Sequence, residues 1–196
     1  MTKNFFNGHD YFIDEKVRFF KFANVYNIFN ETGENIGAVK QNLSFGQKVL
    51  TLLIGKPALP FKLEIVNNDD EVQAVISRGW TFFMSKIVVS DADGNALASI
   101  KQKFKLFKPT FRILDTSENL IAEIKGDWKA WSFNIKDSNE IEIGTISKKW
   151  GGAMREIFTN ADKYNVHINP EYTENKHKVA ILSAAITIDM VLKNQK

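Results

Sequence analysis

The chain has no cysteine, which removes disulfides, thiolate metal ligands, a cysteine nucleophile and S-palmitoylation together. Proline is scarce, with four residues in 196, and the short piece Lys56-Pro57-Ala58-Leu59-Pro60 reads as a connection between elements rather than a domain boundary. Histidine is limited to His9, His167 and His177, which share no metal-ligand spacing. No nucleophile-elbow serine and no phosphate-cradling glycine loop is present, so the chain is not expected to be an enzyme. Charge of one sign is also lacking: a net +3 is too slight to identify a polyanionic partner, and no recognition motif accompanies the basic residues, so no nucleic-acid partner is expected. Met1 to Asn7 hold one lysine and no apolar stretch, so no secretory signal is seen and a cytoplasmic location, peripheral to a membrane at most, is expected.

What is present is ordinary in bulk and regular in pattern. Hydrophobic residues make up 44% and charged residues 25%, as in folded soluble proteins, and sixteen Phe against four Tyr point to a Phe-rich interior. One unit recurs: an alternating run, a polar turn, then a second alternating run. The copies are Val25 to Lys40, Phe61 to Ile76, Lys86 to Lys101, Phe111 to Lys125 and Ser132 to Ser147. A sixth is expected from Met154 to Ile168, where Tyr164, Val166 and Ile168 alternate with Asn165 and His167. Six hairpins make about twelve strands, and a sheet that long removes its edges by closing on itself. One domain spanning residues 1–196 is expected.

The last apolar run, Val179 to Leu192, differs from the rest because it is apolar on all sides. Fourteen residues give about 21 Å of helix, short of a hydrocarbon core of about 30 Å, and Asp189 lies within the run. Burial in protein is therefore expected. Ala180, Ser183, Ala184 and Ala185 would let such a helix fit inside a closed sheet, with Asp189 near an end where it finds a partner or water.

Several stretches resemble the family of phospholipid scramblases and LURP-one-related proteins, which share the tubby C-terminal fold. The most specific is Ile146-Ser147-Lys148-Lys149-Trp150, followed by Arg155 to Asp162 and then Ala184 to Asp189. Tyr11 to Lys16, Ser44 to Lys48 and Lys108 to Phe111 also match, so the resemblance covers about residues 11–192. It implies a twelve-stranded antiparallel barrel around a C-terminal helix. It also brings two functional expectations: calcium-dependent movement of phospholipid between leaflets, and lipid or protein binding by the barrel. The chain shows neither the Pro-rich N-terminal extension nor the cysteine cluster through which scramblases are acylated, so stable membrane attachment would need another source.

Two sets of residues are candidate sites. Lys101, Lys103 and Lys105 recur at period two and share a strand face, with Lys108 and Arg112 nearby. Such a stripe suits anionic phospholipid headgroups; the competing reading is a solvated face whose lysines guard against aggregation. In scramblases a twelve-residue acidic loop is the proposed calcium site, and the matching stretch here is Asn160 to Glu171. Asn160, Asp162 and Glu171 occupy ligand positions 1, 3 and 12, but Tyr164 and Asn165 stand at positions 5 and 6, and the run from Tyr164 to Ile168 alternates like a strand. The residues thus speak against the one ion the resemblance raises, and no other cofactor is expected. Trp150 and the group Phe19, Phe20 and Phe22 fit a membrane interface or, more simply, the barrel core and its ends. The leading expectation is a non-enzymatic barrel that meets phospholipid at a membrane surface; the alternative is a soluble ligand- or protein-binding barrel without lipid activity.

Overall fold

The computed structural model describes residues 5–16, 25–41, 60–79, 86–103, 110–127, 129–148 and 163–193. Twelve strands form a closed antiparallel barrel: β1 Asp10–Lys16, β2 Val25–Phe29, β3 Asn35–Gln41, β4 Phe61–Asn67, β5 Val72–Arg78, β6 Lys86–Ser90, β7 Ala96–Lys103, β8 Thr110–Leu114, β9 Leu120–Asp127, β10 Ser132–Asp137, β11 Glu142–Ser147 and β12 Lys163–Ile168. Each strand pairs with its neighbours in sequence, and β1 pairs with β12 to close the ring. The strands follow the period-two rule: on β10, Phe133 and Ile135 are buried while Ser132 and Asn134 are exposed.

All five expected hairpins are present, and they end in one repeated turn. Asn30, Asn67, Asp91, Asp115 and Asp137 each accept, through Oδ1, backbone N–H groups two and four residues on. The residue three positions after each has a positive φ: Gly33 at 81°, Asp70 at 62°, Gly94 at 88°, Glu118 at 65° and Glu140 at 63°. Each hairpin also shifts register by one residue beside the turn. A side-chain acceptor, a left-handed residue and a bulge together make a compact loop whose twist matches the strands.

The sixth hairpin is corrected. Both edges of β12 are occupied, by β11 on one side and β1 on the other, so the ring has no place beside β12 for a strand drawn from Met154 onward. Residues 154–162 lie outside the described residues. The twelfth strand is instead β1, whose Asp10, Tyr11 and Phe12 face His167, Val166 and Asn165.

A twelve-stranded ring is too wide for side chains alone to fill. Helix α1, Asn175–Lys193, fills it. From Lys178 to Met190 every residue is buried, and Ala180, Ala184 and Ala185 are fully so among Ile13, Ile100, Phe111, Phe133 and Tyr164. Thr187 satisfies its hydroxyl by donating to the Ser183 carbonyl oxygen at 2.8 Å. The helix begins four residues earlier than the apolar run, because Glu174 offers its carbonyl oxygen to the N–H groups of His177 and Lys178 and the first turn is polar. Asp189 is wholly buried in the barrel rather than standing near water. Small-residue packing also governs the wall: a Cβ at Gly144 would stand 2.2 Å from the His167 carbonyl oxygen, and one at Gly126 would stand 2.1 Å from that of Ser132.

This topology gives the barrel two unlike rims. The five hairpin turns and the β12–α1 connection lie at one end, here the turn rim; the strand ends that the other connections join form the far rim, and most residues of those connections lie outside the described residues. The six turn-rim connections carry twelve Asp or Glu and no Lys or Arg. The six far-rim connections carry ten Lys or Arg and two Asp or Glu in their sequence.

Candidate functional site

The outward face of β6 to β9 carries the charge that the lysine pattern announced, in a different arrangement. Cross-strand register sets Lys86 opposite Lys101, Lys101 opposite Arg112, and Arg112 opposite Glu123. Neighbouring like charges on a sheet repel, and two carboxylates relieve that repulsion. Glu118, in the β8–β9 turn, takes the ammonium groups of both Lys101 and Lys86, the latter at 2.7 Å. Glu123 takes Arg112 Nε at 2.8 Å and the ammonium of Lys125.

These clamps set the protonation states. The hydrogen bonds from Lys101 and then Lys86 hold the Glu118 carboxyl below its usual range. Burial alone would raise Glu123, but the bonds from Lys125 and Arg112 outweigh it, so that carboxyl too lies below its ordinary value. The same bond raises Lys125. The outward face of β6 to β9 thus carries five cations (Lys86, Lys101, Lys103, Arg112 and Lys125) against three carboxylates, Glu118, Glu123 and the exposed Asp127 at the end of β9. Lys103, at the end of β7, is exposed and stands next to the far rim. There Lys148 Nζ lies 5.0 Å from the Trp131 ring, which in turn stacks on Tyr164 at 5.3 Å.

Of the residues proposed for lipid contact, Lys101, Lys103 and Arg112 come together on this face. Lys105 and Lys108 lie outside the described residues, as do Trp150, Phe19, Phe20 and Phe22. Glu118, Glu123, Lys86 and Lys125 were missed. Their signal was the hairpin register itself: pairing Lys86 to Lys101 and Arg112 to Glu123 needs only the turn positions.

Of the calcium candidates, Asn160 and Asp162 lie outside the described residues, and Glu171 is exposed in the β12–α1 connection. Strand β12 takes up Lys163–Ile168 of that stretch in extended form. Glu171 therefore follows a segment about 17 Å long, which does not curl around an ion. Asn165 and His167 on its outer face both bond Asp10 Oδ1, at 2.9 Å and 3.0 Å. Among the described residues, no helix is long and apolar enough to cross a membrane.

A closed antiparallel barrel plugged by a buried C-terminal helix, with an ionised patch on its outer wall, defines a class of barrel whose chemistry lies on its surface. The chain belongs to the Scramblase family, whose model matches residues 15–194. It is 26% identical over 184 residues to "Phospholipid scramblase family member 5" of Homo sapiens, covering 86% of this chain and 66% of that protein. It is also 26% identical over 149 residues to "Phospholipid scramblase 1" of Homo sapiens, covering 69% and 46%, and 20% identical over 151 residues to a phospholipid scramblase family protein of Schizosaccharomyces pombe, covering 72% and 40%. The chain thus spans less than two thirds of the length of these relatives. A solved protein from Arabidopsis thaliana shares the fold, with a TM-score of 0.53, 10% identity, and coverage of 96% of this chain and 93% of that one.

Proposed function

We propose that the barrel is a non-enzymatic phospholipid-interacting protein that meets an anionic membrane surface with the cationic side of its wall, and that it serves phospholipid movement between leaflets. The observation that carries this reading is the patch on β6 to β9, where five cations outnumber three carboxylates and Lys103 is exposed beside the far rim. Cations near an anionic bilayer contribute about 1 kcal/mol each. A partly neutralised patch binds more weakly than a bare one, which suits reversible contact. The sequences that join the far-rim strand ends hold ten Lys or Arg against two Asp or Glu, the same sign.

Liposome flotation tests the reading. At low salt the protein floats with vesicles containing phosphatidylserine and not with neutral ones. Reversing Lys101, Lys103 and Lys105 to Glu lowers partitioning by at least about a hundredfold, with the fold checked by circular dichroism. No flotation of the parent protein at low salt would remove the reading and leave a ligand- or protein-binding barrel. Leaflet exchange is tested separately by labelled lipid in proteoliposomes with and without calcium; flat traces in both would restrict the protein to surface binding.

A further inference from the structure

Among the described residues, four that are not glycine have a positive φ, and three of them, Asp70, Glu118 and Glu140, belong to the repeated hairpin turns. The fourth is Trp131, with a φ of 49°, in the β9–β10 connection at the far rim. A bulky side chain is costly in that region, which glycine or asparagine fills more readily. Such strain persists only where the surroundings hold it, and it draws attention to what the side chain does.

The surroundings do hold it. Asp127 Oδ1 accepts the backbone N–H groups of Lys129 and Ala130, at 2.8 Å and 3.3 Å, and the Trp131 carbonyl oxygen accepts the Lys148 N–H at 3.2 Å. The indole stacks on Tyr164, meets Phe133 edge-on at 5.9 Å, and has the Lys148 ammonium against its ring. These contacts leave Trp131 only half-buried, whereas Phe133 and Tyr164 are wholly so. Lys129 and Ala130, the two residues before it, are exposed. The loop also continues the cationic side of the wall: Lys103 pairs with Thr110, Thr110 with Lys125, and β9 runs on from Lys125 into the loop. Asp127 is the one acid between Lys125 and Ser132, and its Oδ1 is taken up by the loop's own backbone.

A half-buried indole on a fastened loop, with Lys103, Lys125, Lys129 and Lys148 around it, has an apolar body, a polar N–H and the charge that suit the headgroup layer of an anionic bilayer. We propose that the β9–β10 loop is the element by which the barrel enters the membrane interface, with Ala130 and the open part of the Trp131 ring below the headgroups and Lys129 at the phosphates. This inference rests on the proposed function and deepens it. Lasting attachment takes an apolar contact as well as a basic patch, and the loop supplies that contact without an acyl chain. It also orients the barrel, with the far rim against the bilayer and the twelve carboxylates of the turn rim facing away from the anionic surface.

Because the chain has no cysteine, a single dye can be placed at will. Ala130→Cys and Ala92→Cys replace exposed alanines at the far rim and the turn rim, and each takes an environment-sensitive nitrobenzoxadiazole label. With vesicles of phosphatidylcholine and phosphatidylserine at low salt, the label at 130 brightens, shifts to the blue and is quenched by brominated acyl chains, while the label at 92 does none of these. Ala130→Leu raises partitioning about threefold and Ala92→Leu leaves it unchanged. Trp131→Phe, which keeps a ring on Tyr164, lowers partitioning about threefold. A parent protein that floats while the label at 130 stays silent overturns the loop and leaves the wall patch as the contact, and so does an equal response of the two labels. Trp131→Phe that lowers the melting temperature and leaves partitioning unchanged reduces the indole to a cap on the barrel end and overturns its anchoring role. No flotation of the parent overturns this inference together with the proposed function.

Discussion

The two rims of the barrel are built from different kinds of information. At the turn rim one five-residue device is used five times, with an Asx acceptor, a left-handed residue and a bulge, and the residues that make it also load the rim with carboxylates. The sequences that join the far-rim strand ends run from four to nineteen residues, follow no common pattern, and are cationic and aromatic. Turn chemistry favours Asp, Asn and Gly, so local structural need by itself biases one end toward negative charge. The positive end has no such structural excuse, which is why its charge is the better guide to function.

If closure of the ring is symmetric while the chemistry is not, overpacking should hurt equally at both ends. Gly144→Ala, toward the turn rim, and Gly126→Ala, toward the far rim, each force a Cβ against a neighbouring carbonyl and should cost about 3 kcal/mol, lowering the melting temperature by roughly 6–12 °C. A loss at one glycine alone would break the symmetry. Acid should then act on the turn rim. The Asn95 amide holds the Asp91 carboxyl below its usual range, and the Asn119 amide does the same for Asp115. Their folded pKa values are depressed, so their contribution is present above the ordinary carboxylate pKa of about 3.9 and is lost as pH falls through the folded values. Urea midpoints should drop as pH is lowered below about 4, and less steeply in Asp91→Asn with Asp115→Asn, because Asn30 and Asn67 already make the same turn without a titrating group. The smallest effect concerns a single backbone angle. Glu140→Gly, which gives up only the 3.6 Å contact with Lys136, should stabilise by about 0.5 kcal/mol by relieving a φ of 63°, whereas Glu118→Gly should lose that gain by releasing both Lys86 and Lys101. Equal gains from the two would show that the Glu118 ion pairs contribute no more than the Lys136–Glu140 contact.

The parts legible in the sequence are those set by near neighbours. Asn30, Asn67, Asp91, Asp115 and Asp137 announce their turns, and the alternation on either side then sets five hairpins and the inward faces. Closure was less legible, because β1 meets β12 across some 150 residues and no local pattern links Tyr11 to Val166. The central helix could be read because an all-round apolar run has to be covered, although the depth of Asp189 could not. On the wall, Lys101 and Arg112 stood out as cations, while Glu118 stayed hidden because a bulged turn carries it back to Lys86 and Lys101.

Helix α1 follows all twelve strands in the order of the chain. A nascent polypeptide leaving the ribosome thus exposes inward faces rich in Ile, Val and Phe before the element that covers them has been made. The ring cannot seal around an absent plug, and strands waiting with bare edges are prone to pair with other chains. Folding of this barrel is therefore an event that follows synthesis of α1, slow for its high contact order, and productive yield in a cell depends on what shields the strands during that interval.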